Sequence, residues 1–476
     1  MATISTILNI AALEAYSSPA MTGTVLFVQG YSSYADGGEG NFHLTATTGG
    51  TTDYGTIIID AMGREWVRDT SGAPYNAKWF GATGGGTLDD TLALQHAINA
   101  AQSPAGSSTG KLLLIPAGTY LISASLEITQ TIKIIGEGQF NTYITTSALS
   151  DDNITITSNN IFLDGVEISD IQLDATGAKT AGYGISILST NGGHSARCTF
   201  RDITMSGNMF GGMNVQVGFD LVLQNISISG VGTGSYGFLF KGVASNIAPV
   251  DVWVRDCRVQ GTTNASAIGM MIDAYSQGFY VSGCVMETDL NVGLQIDNTS
   301  SDSTASPFNL FFSQFICDTN QGSACLIKCV LRAYFESCWF CGAKTDYGVW
   351  NLGSGYGGSR DVSLVNCVIL GNAQSGIRID STAQWTRIEN CTLERNSFMS
   401  PGTYSGVAIQ ANATDVTIVG NTIGFNDTTY QKYSVWIDSG SGDRFIVANN
   451  NLRGYTALAI SDSSTGTNKI MSPNIT

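Results

Sequence analysis

The chain has 476 residues, of which 43% are hydrophobic and only 13% are charged, and its formal net charge is −16. The length allows a sizeable core, while the acidic balance argues against nucleic-acid binding, which needs a basic face, and against anionic membranes. No apolar run approaches the roughly 18 residues of a transmembrane helix. With 56 glycines and only 8 prolines, the composition favours tightly turning β-structure over helices.

The N-terminus lacks the charged start of a secretory signal, because the first basic residue is Arg64. We therefore expect folding in a cytoplasm, with the ten cysteines mostly reduced. Cys338 and Cys341 have a spacing that zinc sites use, but no second pair or histidine pair completes such a site. The sequence predicts no metal and no cofactor.

The stretch AKWFGATGGGTLDDTLALQHAINAA, residues 77–101, combines three consecutive glycines, two aspartates and an apolar stripe. No Lys-Ser/Thr follows the glycines, which excludes a Walker A phosphate loop. Leu94, Ala97, Ile98 and Ala101 have the spacing of one helical face. We predict a helix capped by Asp89 or Asp90, which covers the open end of a β-structure.

From about residue 130 one unit recurs: a strand, a turn residue, a second strand, a loop and a third strand. Most of the turn residues are Gly, Asn or Asp, the types that adopt a left-handed backbone most easily. From Asp202 to Asn449, nine steps cover 247 residues, about 27 per step, a period typical of solenoids. The turn residues are Gly136, Asp170, Asp202, Asn225, Asp256, Gly283, Gln314, Ser337, Asn366, Asn390, Gly420 and Asn449.

The position after the turn residue predicts an inward file of stacked side chains. Five cysteines fall in it, and asparagines end it: Cys257, Cys284, Cys338, Cys367, Cys391, Asn421 and Asn450. The third strand repeats as alternating segments such as GMMID, GLQID, ACLIK, YGVWN and GIRID. Alternation of period two indicates strands, and one such coil per 27 residues predicts an all-β parallel β-helix with coils about 4.8 Å apart.

The stretch at residues 78–101 resembles the opening motif of the pectate-lyase-like, single-stranded right-handed β-helix superfamily, and in particular bacteriophage tailspike depolymerases. Gly85 stands where the family usually has an aspartate between two glycines. The segment TVLFVQGYSSYADGGEGNFHLTAT before it is similar to tailspike head domains. The expected organisation is a β-rich head at 1–75, the opening motif and capping α-helix at 76–130, the β-helix at 131–461 and a short tail at 462–476.

The resemblance implies a homotrimer on the phage tail, attached to a tail or baseplate protein through its N-terminal region. Such a spike binds a bacterial surface polysaccharide, capsule or O-antigen, and cleaves it outside the host cell. It folds in the host cytoplasm, so it needs no secretion signal. Glycosidic hydrolysis is the expected reaction; a lyase acting on a uronic-acid polymer and a non-catalytic receptor-binding spike are the alternatives, and an epimerase is a weaker one.

Hydrolysis requires two carboxyl groups, about 5–5.5 Å apart for retention and about 6.5–9.5 Å apart for inversion. Glu287 and Asp318 hold equivalent places on adjacent coils and are the predicted pair, with Asp289 placed to orient a water molecule. Their substitution, Glu287→Gln or Asp318→Asn, is expected to abolish depolymerisation and leave the trimer intact. Glu336 is a further candidate near the middle of the β-helix.

A competing column follows the third strand and supplies predicted catalytic and binding residues. It contains Asp273, Asp297, Lys328, Asn351, Asp380, Gln410 and Asp438. Asp297 is counted with the catalytic candidates, and Asp273 and Lys328 with the substrate-binding ones. Trp339 and Tyr347 are predicted to bind sugars, and Trp253, Tyr356, Trp385 and Tyr404 are further aromatic residues of the coils or their loops. For the lyase alternative, the possible bases are His194, Arg255, Arg258 and Lys328.

Overall fold

The structure is a computed structural model that describes residues 5–105, 107–207, 209–261, 266–354, 357–380, 382–424 and 429–476. It divides into two compact units, residues 1–186 with 190–206 and residues 187–189 with 207–476. These units are defined by compactness, so the domain boundaries predicted at residues 75, 130 and 461 stay predictions. Within the ranges above, no helix combines the length and apolar character needed to cross a bilayer.

The first unit begins with a five-stranded sheet and a short helix, Ile10–Glu14. Alternating apolar residues of the sheet pack with Ile10 and Leu13 into a core that includes Phe42 and the fully buried Trp66. The Trp66 indole N–H donates to Asp60 at 2.8 Å, which satisfies the buried polar group. In sheet order the strands are Ser5–Ile7, Val25–Val28, Gly40–Thr48, Arg64–Arg68 and Ile57–Ile59.

The predicted helix is present at Thr91–Ala101, and Leu94, Ala97, Ile98 and Ala101 are all buried. The two aspartates before the helix have different hydrogen-bond partners. Asp89 caps the helix by accepting from the Thr91 N–H at 2.9 Å, whereas the side chain of Asp90 makes no capping bond.

Asp90 instead holds the glycine loop, because its carboxylate accepts from the N–H groups of Thr83 at 2.7 Å and Gly84 at 3.1 Å. The helix-capping prediction is therefore right for Asp89, and Asp90 has a different partner.

The rest of the first unit consists of short strands that pair in parallel, such as Lys133–Gly136 with Leu112–Ile115 and with Glu167–Ala175. A 3-10 helix at Ala77–Phe80 precedes them. The remaining strands are Tyr75–Asn76, Gly85–Asp89, Gly118–Ile122, Leu126–Ile128, Thr142–Thr146, Ile154–Asn159, Phe162–Asp164, Tyr183–Thr190 (whose residues 187–189 belong to the second unit), His194–Ala196 and Thr199–Met205.

The second unit is a stack of coils whose strands form three parallel ladders. The long strand Gly218–Val231 supplies the first rung of two ladders. The first ladder continues with Pro249–Arg255, Gln277–Ser282, Phe308–Ser313, Ala333–Glu336, Arg360–Val365, Gln384–Glu389, Thr414–Val419, Phe445–Ala448 and Lys469–Ile470. The second continues with Arg258–Gly261, Val285–Glu287, Ile316–Asp318, Trp339–Cys341, Val368–Leu370, Thr392–Glu394, Thr422–Ile423 and Asn451–Leu452.

The third ladder of this unit contains Gly211–Val215, Tyr236–Phe240, Ile268–Ile272, Val292–Ile296, Cys325–Ile327, Val349–Asn351, Ile377–Ile379, Val407–Ile409, Gln431–Ile437 and Tyr455–Asp462. Each strand pairs in parallel with the next one in this order, for example Ile296 with Ile327. The predicted all-β parallel β-helix is confirmed, and the sequence unit of three strands corresponds to one coil.

The turn between the first and second strands uses a left-handed backbone, as the residue types predict. Eleven of the twelve predicted turn residues have positive φ, including the two exceptions to type, Gln314 at 51° and Ser337 at 53°. Gly136 is the one that does not. A glycine is needed at position 136 for a different reason: a Cβ added there would lie 2.1 Å from the carbonyl oxygen of Asp170.

Because Asn adopts left-handed backbone more easily than Gln, we expect Gln314→Asn to stabilise the protein. The side chain of Gln314 is exposed, so little packing changes. The expected gain in the free energy of unfolding is up to about 1 kcal/mol, measured by chemical denaturation. Ser313→Asn is the matched control, since Ser313 does not have positive φ, and an equal gain in both variants would contradict the explanation.

The inward file behind the turns is confirmed. Cys257, Cys284, Cys338, Cys367 and Cys391 are all at most 1% exposed. Thiols of this file bond to carbonyl oxygens of the preceding rung, as Cys391 does to Leu364 at 3.4 Å. Asn421 and Asn450 continue the file, with the Asn421 amide donating to Asn450 Oδ1 at 3.0 Å. Side chains far apart in sequence are thus lateral neighbours.

Candidate functional site

The predicted pair Glu287 and Asp318 lies at the ends of two neighbouring strands of the second ladder, directly opposite each other in register. One oxygen of the Glu287 carboxylate, Oε1, accepts from Arg258 Nε at 2.7 Å and from Gln260 Nε2 at 2.8 Å, so Glu287 is held in an ion pair. The adjacency follows the sequence prediction, while the arginine contact favours a structural role for Glu287. A catalytic role for the pair stays a prediction.

Asp289 and Glu336 have different surroundings. Asp289 accepts from Lys344 Nζ at 2.9 Å and from Gln321 Nε2 at 2.5 Å, and the bond from Lys344 is the main cause of its lowered pKa. A lowered pKa suits an ionised carboxylate rather than a proton donor. Glu336 is exposed at the end of its first-ladder strand, opposite Ser313 and Val365.

Asp273, Asp297 and Lys328 follow consecutive strands of the third ladder, where the sequence places them. Both carboxylates are buried and paired: Asp273 with Lys241 Nζ at 3.2 Å and Asp297 with Lys328 Nζ at 3.0 Å. Asp273 also accepts from the Thr299 N–H at 2.8 Å. Ion pairs of this kind stabilise the ends of the third-ladder strands. The catalytic role of Asp297 and the binding roles of Asp273 and Lys328 stay predictions.

The predicted column contains one error of register, at Asn351. This residue pairs with Ile327 and Ile379 and is buried at 1% exposure, so it points inward. Its amide donates to Thr386 Oγ1 at 3.0 Å inside the coil. The sequence rule that each third strand ends in an outward polar residue failed here because a buried asparagine found a polar partner.

The predicted aromatic residues lie in different surroundings. Trp339 is 42% exposed on the second ladder. Trp253 stacks on Tyr280 with ring centroids 5.5 Å apart, which makes it part of a ladder of rings along the first ladder. Tyr356 lies outside the described residues. Tyr347 and Tyr404 line a common cavity of about 330 Å³, which we call the tyrosine pocket.

The tyrosine pocket arises from the order of side chains along the third ladder. In its outward file, Trp350, Arg378, Ala408 and Trp436 occupy successive rungs. A parallel file contains two serines, Ser375 and Ser405, between Tyr347 and Tyr433, and backbone bonds join these rungs. The small residues Ser375, Ser405 and Ala408 therefore leave a gap between two aromatic pairs, Tyr347 with Trp350 and Tyr433 with Trp436. The two pairs are three rungs apart, which is about 14 Å. The gap is lined by Tyr347, Ser375, Arg378, Thr403, Tyr404, Ser405, Ala408, Gln410, Lys432, Tyr433 and Trp436.

Arg378 is held rigidly on one side of this pocket. Its Nε donates to both oxygens of Asp380, at 2.8 and 2.9 Å, and its guanidinium also donates to the Tyr347 hydroxyl. The cation lies 5.0 Å from the ring centroid of Tyr347 and 5.4 Å from that of Trp350, and the Trp350 N–H donates to Asp380 at 2.9 Å. The positive charge is thus positioned before any ligand arrives.

Asp346, immediately before Tyr347, was missed by the sequence analysis. Burial raises the pKa of its carboxyl group, and the bond from Ser323 Oγ at 2.9 Å and the charge of Arg378 offset part of the effect. A raised pKa favours the protonated form of a carboxyl group, which is the form that can donate a proton. The available sequence signal was an aspartate directly before Tyr347, close ahead of the strand Val349–Asn351.

The pocket and its surroundings contain groups for three chemical tasks. The rings of Tyr404, Tyr433 and Trp436 line the pocket and can stack on sugar rings, and Arg378 supplies a fixed positive charge. Asp346, which precedes the lining residue Tyr347 in the chain, supplies a carboxyl group of raised pKa. Burial also raises the pKa of the Tyr347 phenol, which keeps it protonated. Over the ranges that the structure describes, no group of three or more His, Cys, Asp or Glu residues could hold a metal ion.

Three protein families match the chain. Residues 75–295 match the family described as rhamnogalacturonase A/epimerase, pectate lyase-like, and residues 334–452 match the right-handed β-helix region. Residues 6–71 match the small four-stranded β-sheet domain of phage tail proteins.

Among curated proteins, alginate lyase 7 of Azotobacter vinelandii is 35% identical over 120 residues, which are 25% of this chain and 12% of the lyase. The preneck appendage protein of Bacillus phage PZA is 25% identical over 215 residues, 42% of this chain and 22% of that protein. The chain thus spans only a small part of each relative. Tailspike protein 3 of bacteriophage CBA120 shares the fold, with a TM-score of 0.62 at 14% identity over 86% of this chain and 64% of that one.

Together with the coils and the shared fold, the matches at residues 75–295 and 334–452 show that the chain has the pectate-lyase-like right-handed β-helix fold. A match to a phage tail domain precedes the coils, and the chain is similar to phage tailspike and preneck appendage proteins.

Proposed function

We propose that this protein binds a bacterial surface polysaccharide, capsule or O-antigen, in the tyrosine pocket and cleaves it. The single observation that carries the proposal is Asp346, a carboxyl group of raised pKa beside a preformed cavity with aromatic walls and a fixed arginine. Perturbed titratable groups next to a pocket are the usual mark of an active site. The relatives that act on polysaccharides support the same class of substrate.

In the proposed reaction Asp346 protonates the glycosidic oxygen of the leaving sugar, and water completes hydrolysis. Asp380 supplies the second carboxylate that hydrolysis needs, oriented by Arg378 and Trp350. The pairs Tyr347 with Trp350 and Tyr433 with Trp436 hold sugar rings on either side of the bond that breaks. The Glu287–Asp318 pair is the alternative position for cleavage, and its substitutions belong in the same assay.

Elimination from a uronic-acid unit is a second candidate, favoured by the contact between the Tyr347 hydroxyl and Arg378. In that reaction Arg378 neutralises the sugar carboxylate and the tyrosine takes part in proton transfer. The similarity to alginate lyase 7 supports this alternative.

The two reactions leave different products. We expect incubation with a panel of purified capsular and O-antigen polysaccharides to give oligosaccharides, identified by mass spectrometry, whose mass includes one added water. Elimination would instead give fragments without added water that carry an unsaturated, ultraviolet-absorbing sugar. Binding without any fragments would contradict both reactions and support a receptor-binding spike.

We also propose that the protein acts on the virion as a homotrimer and that its head attaches to a tail or baseplate protein. The match of residues 6–71 to a phage tail domain supports the attachment. Sedimentation of the full chain tests the trimer. Loss of incorporation into particles when residues 1–75 are deleted tests the attachment.

A further inference from the structure

We infer that a second groove, on the first ladder of the second unit, binds a linear sugar chain that carries carboxylate groups. The groove has a volume of about 1130 Å³ and shares no lining residue with the tyrosine pocket. It extends from Phe308 to Ile470 across seven rungs, which is about 29 Å along the stack. This length suits several sugars of an extended polymer, and the inference does not depend on cleavage in the tyrosine pocket.

The charge of the groove is opposite to that of the chain. Five cationic and two anionic side chains line it, a net formal charge of +3, although the protein carries −16 overall. Concentrating positive charge in one concave surface of an acidic protein favours an anionic ligand.

Two of the arginines have no partner of their own. Arg332 pairs with Asp361 at 3.0 Å, and Arg444 pairs with Asp415. Arg360 and Arg387, in contrast, make no ion pair with any residue that the structure describes. Their guanidinium groups are therefore available for the bidentate bonds that carboxylates accept.

Trp385 lies between these arginines in an unusual conformation. Its φ is 55°, and its left-handed counterparts on rungs of the groove include Asn309, Asp361 and Asp415, the types that adopt this backbone readily. A bulky residue at positive φ is strained, and such strain concentrates at functional sites. The indole is 49% exposed, and among the described residues no other aromatic ring stacks on it. Its face is free to contact a sugar ring.

The test uses the full chain with Asp346→Asn, so that ligand is not cleaved during titration. We expect oligogalacturonate to bind and a neutral malto-oligosaccharide of equal length not to bind, as measured by calorimetry. Trp385→Asn and Arg387→Gln are each expected to weaken binding about ten-fold or more. Trp385→Asn places a residue suited to the left-handed backbone, so its thermal unfolding temperature should not fall.

Phe140→Ala, which removes another exposed aromatic ring, is the matched control and should leave the affinity unchanged. Equal affinity of the Trp385 and Arg387 variants and their parent would overturn the inference. So would binding of a glycerol-phosphate polymer in place of oligogalacturonate, which would indicate phosphate as the ligand. A parent that sediments as an oligomer while Trp385→Asn sediments as a monomer would show instead that a second copy covers the groove.

Discussion

Asp346→Asn is expected to lower the rate of polysaccharide cleavage by about 10²–10⁴-fold, the usual contribution of a general acid. The amide cannot donate the proton, yet it can still accept from Ser323 Oγ, which bonds to Asp346 at 2.9 Å. Fragment release from the susceptible polysaccharide is the measurement. Asp220→Asn is the matched control, because Asp220 is exposed and its left-handed backbone also suits asparagine.

The same variant should be more stable than the parent at neutral pH. The folded-state pKa of Asp346 is raised, so its carboxyl favours folding below the unfolded pKa of about 3.9 and loses that contribution as pH rises through the folded value. Removing the charge therefore raises the free energy of unfolding near neutral pH and leaves it unchanged in acid, below the unfolded pKa. An inactive variant that is less stable at neutral pH would mean that Asp346 is structural.

Asn450→Ala is expected to lower the free energy of unfolding by about 3 kcal/mol or more, because it leaves buried polar groups without partners. Asn450 donates to the Ile418 carbonyl at 2.8 Å and accepts from the N–H and amide of Asn421 at 2.9 and 3.0 Å. Chemical denaturation measures the loss, or the unfolding rate if refolding fails.

The neighbouring Asn451→Ala is the matched control, since Asn451 Oδ1 is buried without a hydrogen-bond partner. Its loss should change stability little. If the two variants are equally destabilised, the asparagine file does not contribute in the way that its hydrogen bonds indicate.

The repeat of the coils was predictable from sequence because each turn needs a left-handed residue and each inward position needs a small or apolar one. Gln314 and Ser337 adopt the same backbone without the expected residue type, so their turns were found only from the spacing. Asn351 was misplaced because a polar residue is buried where a hydrogen-bond partner exists. Inward polarity depends on a neighbour about one coil away, which a local pattern does not contain.

The candidate site was harder to predict than the fold. Tyr347 was predicted to bind sugars. The pocket itself, however, exists because the side chains of Ser375, Ser405 and Ala408, between the aromatic rungs, are small. Asp346 gained its raised pKa from burial, which no motif encodes. The Glu287–Asp318 adjacency was predicted correctly in register, but the partner Arg258, from the preceding rung, was not foreseen.

The buried thiols of the second unit can be used as probes of how this unit unfolds. Burial raises the pKa values of Cys317 and Cys325, so they resist alkylation while the coils are intact. Nine cysteines from Cys257 to Cys391 mark successive levels of the stack, and all nine are buried and outside any disulfide. If the stack frays from one end, brief labelling under mild denaturation should modify them in order of position, whereas cooperative loss of all coils should modify them together.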